Sequence, residues 1–169
     1  TLAQRTDLTG EPLEDLATQL LDLSRITGGD LETTITGATR LFADWSVATA
    51  DQAATLDELY RATTATGIPL DRLQGLLVTF GGPLRQLGFG LEESAALLGN
   101  FEREGVNTEL VVGAMRQSLG RMARAGEEPI ETFRRITDEI KNAGTAGEAN
   151  GIALELFGAR AGPDMAAAI

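Results

Sequence analysis

Apolar residues recur along this chain at three- and four-residue steps rather than in alternation. Leu13, Leu16, Ala17, Leu20 and Leu23 form one stripe, and Leu31, Ile35, Ala38, Leu41, Phe42 and Trp45 a second; Ile130, Phe133, Ile136 and Ile140 form another. A period near 3.6 residues puts each set on one side of a helix, so the pattern predicts amphipathic helices and an all-α fold.

Glycines punctuate the stripes at a nearly constant interval. Gly28, Gly67, Gly105 and Gly144 each follow a helix-like run, at steps of 39, 38 and 39 residues, and read as helix terminators. Gly37, Gly75, Gly113 and Gly151 lie 38 residues apart at every step and fall inside helical segments. A glycine in a helix interior costs about 1 kcal/mol relative to alanine, so four in one register imply a compensating gain. Close crossing of neighbouring helices is the expectation, with local weakening for conformational change as the rival.

Aligned on these marks, the chain alternates two kinds of segment. The first kind runs over 9–26, 49–66, 90–104 and 126–143, opening on acids and closing near a glycine; the second runs over 31–45, 69–80, 108–125 and 146–157. Asp30, Thr49 with Gln52, and Thr145 with Glu148 have N-cap or capping-box form, and Pro69 and Pro129 suit first-turn positions. Antiparallel hairpins repeating every 38–39 residues follow, at about 9–45, 49–87, 90–125 and 126–158. Residues 1–8 read as an N-terminal extension, 9–169 as a single helical-repeat domain, and 159–169 as the start of a truncated helix. One hairpin has little apolar surface of its own, so neighbours should share a core, either α-solenoid-like or as a compact orthogonal bundle. The stripes do not choose between the two.

Composition narrows the chemistry. With 43% hydrophobic and 23% charged residues the chain reads as an ordinary folding sequence, and its 5% aromatic content favours close-packed helices over strands. The net charge of −11 opposes passive binding to nucleic acid or to an anionic membrane surface. No apolar run approaches the length of a membrane span. The chain opens on Thr1 and stops within an alanine-rich run before Ile169, and is expected to be a piece of a longer protein.

Histidine and cysteine are both absent, which removes the commonest general base, the thiolate nucleophile and the usual zinc ligands. The paired acids Glu14/Asp15, Glu92/Glu93 and Asp138/Glu139 are sequence neighbours that point apart on a helix, so no catalytic pair is nominated. Glu92, Glu93, Glu127, Glu128 and Asp71 sit in first turns, and Arg25, Arg61, Arg103 and Lys141 in last turns, where each complements the helix dipole. Gly88-Phe89-Gly90 opens like a dinucleotide fingerprint but has Glu93 where the third glycine belongs, and reads as a loop. The arginines at 116, 121, 124, 134 and 135 are the one basic concentration, read as a solvated face rather than a phosphate cradle. The expectation is a chain that is not an enzyme, binds no cofactor and holds no metal.

Longer stretches resemble a known family. LEDLATQLLDLSRITGGDLE (13–32), GGPLRQLGF (81–89), LLGNFEREGVNTEL (97–110) and PIETFRRITDEIKNAGTAGEANGIALELFGARAGPDMAAAI (129–169) are similar to bacteriophage and prophage tail tape-measure proteins. Within them ELFGARAGPDM (155–165) is the most specific part. The resemblance implies a structural tail-assembly protein that sets tail length, occupies the lumen of the tail tube and leaves ahead of the DNA at ejection. It implies self-association, tail-tube, tip or baseplate proteins and assembly chaperones as partners, and residence in the host cytoplasm during assembly. A generic helical-repeat scaffold for protein–protein contacts is the alternative. As one continuous helix 169 residues would span about 250 Å at 1.5 Å per residue, yet the frequent glycines and prolines predict folding back when isolated.

Overall fold

A computed structural model describes residues 2–6 and 8–169. Among these residues it contains nine α-helices and no strand: α1 (Leu2–Thr6), α2 (Glu11–Thr27), α3 (Leu31–Asp44), α4 (Gln52–Thr66), α5 (Leu70–Gln86), α6 (Leu91–Arg103), α7 (Thr108–Arg124), α8 (Pro129–Lys141) and α9 (Ala146–Ala168). The fold is all-α. Helices α2, α4, α6 and α8 are the first kind of segment, and α3, α5, α7 and α9 the second.

The chain divides into two compact units, one of residues up to 82 together with 91–99, the other of 83–90 together with 100–169. In the first unit α2 packs on α3 and also on α4. Leu16, Leu20 and Leu23 of α2, Leu41 and Phe42 of α3, Leu56 and Leu59 of α4, and Leu73 and Leu77 of α5 are buried. Most residues of the stripes read from the sequence are therefore buried, whereas Ala17 and Leu31 are exposed. Removing one such leucine from water stabilises the fold by about 1.5–3 kcal/mol. In the second unit α7, α8 and α9 pack pairwise on one another. Val111, Met115, Leu119, Ile136, Ile140, Ala153 and Phe157 are buried there, and Phe89 meets Phe133 edge-on with ring centroids 5.0 Å apart.

Threonine, abundant in these helices, is accommodated by back-bonding. The hydroxyls of Thr39, Thr55 and Thr66 donate to the carbonyls of Ile35, Asp51 and Ala62, one turn earlier, so these side chains enter the interior without an orphaned donor.

Helix ends follow two devices. Asp30, Asn107 and Thr145 cap α3, α7 and α9, each accepting from the backbone N–H three residues on, at 2.8, 3.0 and 3.1 Å. Pro129 occupies the first turn of α8, as expected. At the other end Gly28, Gly88, Gly105 and Gly126 take φ between 69° and 93° and close Schellman motifs, as in the Val106 N–H to Phe101 carbonyl bond of 2.8 Å. Ser46 occupies the same position after α3, with φ 51°.

Two local expectations need correction. The Thr49/Gln52 capping box does not form: a 3-10 turn over Thr49–Asp51 leads into α4, and Gln52 is buried at 7% exposure instead of reaching back. The second-kind segment expected to end at Phe80 runs on instead, since α5 continues through Gly81, Gly82 and Pro83 to Gln86. Pro83 lies in the last turn, where its missing N–H removes one bond, and burial of Leu84 carries the helix on.

Candidate functional site

The glycines singled out by period separate into distinct roles. Gly28 and Gly67, immediately beyond α2 and α4, and Gly105, two residues beyond α6, have φ of 69°, 73° and 69°, where a side chain would be strained. Gly144 stands outside the left-handed region; α8 is closed by Asn142, and the Gly144 N–H donates to Glu148 Oε2 at 2.9 Å, at the start of α9.

The four glycines of the 38-residue register differ from one another. Gly37 carries a close contact: a Cβ there would collide with the amide of Gln74, whose Cδ would be 2.6 Å away. At Gly75, Gly113 and Gly151 a Cβ would meet no atom within 4 Å, and all three are exposed. Packing within the chain therefore does not account for these three glycines. The close approaches fall on other glycines. A Cβ on Gly81 would lie 2.9 Å from Cζ2 of Trp45, one on Gly99 would lie 2.6 Å from Cγ2 of Thr66, and one on Gly162 would lie 2.8 Å from Cα of Leu154. Periodicity marks a constrained position without saying what constrains it. The partners at the true contacts, an indole, a threonine methyl and a backbone, have no period of their own.

What the register glycines do share is an outward face. In the first unit Gly37 and Gly75 line one groove of about 470 Å³ between α3 and α5, with Glu32, Arg40, Asp71 and Gln74 around it. In the second unit Gly113 lines a groove of about 650 Å³ with Asn107, Leu110, Gln117, Phe157 and Arg160. Gly113 and Gln117 also border a second depression beside Pro83, Leu87, Arg116 and Gly120. A further cavity of about 410 Å³ in the first unit is lined by Asp15, Gln19 and Gln52, and the side-chain oxygens of both glutamines lack a partner there.

Among the described residues no three acids gather as a metal site would require. The arginines of α8 are held locally: Arg134 bonds Glu131 at 2.8 Å, while Arg135 bonds Glu139 at 2.9 Å and reaches Glu127 at 3.4 Å. These pairs are exposed and each adds little stability. The carboxyl of Asp30 is held below the ordinary aspartate range by the backbone N–H of Thr33, and then by its hydroxyl. It is a helix cap. No helix among the described residues is long and apolar enough to cross a membrane.

The sharpest backbone feature lies in α9. Gly158, at φ 77° and ψ 172°, breaks the helix in a region that only glycine occupies readily. Four residues later Gly162 sits against the backbone of Leu154, four residues before the break. Residues 159–168 thus turn back on 146–157, and Ala161 and Met165 are buried. Gly158 continues a third 38-residue series with Gly82 and Gly120 but alone among them leaves the helical region, so the period does not signal the elbow.

Compared with known proteins, residues 1–167 match the family model of the phage-related minor tail protein. The chain belongs to that family. No curated protein and no solved structure matches it. As a phage minor tail protein chain it is a structural component of the virion tail. Within this tail protein the stretch 155–165, the most family-specific by resemblance, coincides with the elbow at Gly158 and the close approach at Gly162. In this tail chain, then, the distinctive residues shape backbone and contact surface.

Proposed function

We propose that this phage tail chain is a segment of a tape-measure protein, contributing to tail-length determination and tail assembly and to the tube-lumen content released at DNA ejection. The observation that carries the reading is the match to the minor tail family over residues 1–167, joined to the tape-measure resemblance of residues 13–169. Its role is structural rather than enzymatic, in a chain without histidine or cysteine. Its partners are other copies of itself, tail-tube subunits, tip or baseplate proteins and assembly chaperones. It resides in the tube lumen, and in the host cytoplasm while tails are built. A net charge of −11 supports sharing a channel with DNA without gripping it.

A ruler measures by contour length, and the longest helix here, α9, has 23 residues and is broken at Gly158. The measuring form of this segment is therefore a chain of short helices or an opened version of it. Deleting one 38-residue repeat in frame tests the reading by electron microscopy of tails. A fully extended helical repeat would shorten tails by about 57 Å at 1.5 Å per residue, and folded hairpins by less. Tails of unchanged length would remove this segment from the ruler. The outward grooves favour a second reading, a helical-repeat interaction scaffold, which predicts normal tail length with loss of one bound partner.

A further inference from the structure

On the face of α3 and α5, Gly37 is accounted for by the Gln74 amide packed on it, but Gly75 is unexplained by anything inside the chain. Gly75 is a helix-interior residue, exposed, with open space where its Cβ would be. Glycine there weakens the helix relative to alanine, yet the same register holds glycine in all four repeats. Intrachain packing supplies that gain at Gly37 but not at Gly75, where close approach by something outside the chain would supply it. A second observation points the same way. Gln74, in the groove floor over Gly37, is only 2% exposed, and its Nε2 has no hydrogen-bond partner. A buried donor left unmade is costly, and an acceptor carried by a docked surface would satisfy it.

The charges around the groove indicate the occupant. Gly37 meets Gln74, and Trp45 meets Gly81 further along both helices, so α3 and α5 run parallel. Glu32 and Asp71 therefore stand together at the N-terminal end of the groove, in first turns, while Arg40, in an exposed pair with Asp44 at 3.7 Å, stands two turns along. Turned about a two-fold axis through the glycines, this face sets its acids opposite the Arg40 of its mate. We infer that the α3–α5 groove is an isologous interface between copies of this chain, crossing antiparallel at Gly37 and Gly75, with Gln74 donating to the partner. This names a surface for the self-association proposed above and rests on that reading only for its place in the tail.

The test uses the 169-residue chain in solution, without phage, so its outcome is separate from that of tail-length measurements. Sedimentation equilibrium across micromolar to submillimolar concentration should show a reversible monomer–dimer equilibrium. Gly75→Gln keeps the helix and fills the open space; its melting temperature, measured at a concentration where both chains are monomeric, should be no lower than wild type while its dimer dissociation constant rises at least tenfold. Glu32→Arg and Arg40→Glu should each dissociate the dimer, and an equimolar mixture of the two should recover it as a heterodimer, because each then offers the other's missing charge. A wild-type chain that stays monomeric throughout overturns the inference and leaves the groove to a foreign helix. So does Gly75→Gln that dimerises as wild type, or a charge-swapped mixture that stays monomeric.

Discussion

The indole of Trp45, at the C-terminal end of α3, lies against Gly81 of α5 so closely that a Cβ there would be 2.9 Å from Cζ2 and 3.1 Å from Cε2 and Nε1. A ring edge is rigid, so neither partner gives way without moving a helix. Gly81→Ala is therefore expected to destabilise the chain by about 1–3 kcal/mol, the range for overpacking a close contact, despite alanine's higher helix propensity. Gly75→Ala is the matched control, because its Cβ enters open space; it should stabilise by about 0.5–1 kcal/mol. Urea titration at a concentration where the chain is monomeric measures both. Equal effects of the two substitutions would show that the Trp45 contact does not discriminate them.

Ser46 gives a prediction of opposite sign. Its N–H donates to the Ala43 carbonyl at 3.2 Å and the next N–H, of Val47, donates to Phe42 at 2.8 Å, the same pair of bonds that closes helices at Gly28 and Gly105. Those sites carry glycine, whereas Ser46 holds φ 51° with a Cβ. Left-handed backbone strains a residue with a side chain by about 1–2 kcal/mol, partly offset by the larger unfolded-state entropy of glycine. Ser46→Gly is expected to raise stability by about 0.5–1 kcal/mol, read as a higher urea midpoint at unchanged slope.

Much of the helical layout was legible from residue pattern. Apolar stripes such as Leu16, Leu20 and Leu23 mark the buried faces, and Asp30 and Thr145 mark helix starts, because both signals are local and repeat with the helix. The roles of the glycines were not legible in the same way. A 38-residue period shows that Gly75 is constrained, but whether its Cβ would meet a neighbour depends on a helix distant in sequence. Gly81 and Gly99 are read only once Trp45 and Thr66 are seen beside them. At the start of α7 two adjacent residues, Asn107 and Thr108, are both common cap residues, and only the structure shows that Asn107 is the cap. The grooves, being spaces, have no residue signature at all.

Acid should probe the cap of α3. Asp30's carboxyl is held below its ordinary value of 3.8 by the Thr33 N–H and hydroxyl, so the folded chain binds the proton less readily than the unfolded one. The stabilisation is present above the unfolded value and is lost as pH falls through the lower, folded one. Melting curves of wild type and Asp30→Ala should therefore differ at pH 7 and converge as the solution is acidified below 3.8. A gap that stays constant down to pH 2 would assign the effect of the substitution to something other than the carboxylate.

The elbow of α9 supplies the most local test of why the family-specific stretch has its sequence. At φ 77° and ψ 172°, Gly158 sits where a side chain is strained, and at Gly162 a Cβ would lie 2.8 and 2.9 Å from backbone atoms of Leu154, which no rotamer change relieves. Gly158→Ala and Gly162→Ala should each free residues 159–168 from 146–157, exposing Met165 and Ala161 while α7 and α8 stay folded. Hydrogen exchange resolves this by segment. Amides of 159–168 should lose protection in both variants, by at least tenfold in Gly162→Ala, and those of Ile136 and Ile140 should not change. Because the strain at Gly158 is about 1–3 kcal/mol, the loss should be partial there and larger at Gly162, where the collision is with main chain. Retained protection in Gly162→Ala would mean that residues 159–168 are held by something other than the Gly162–Leu154 approach.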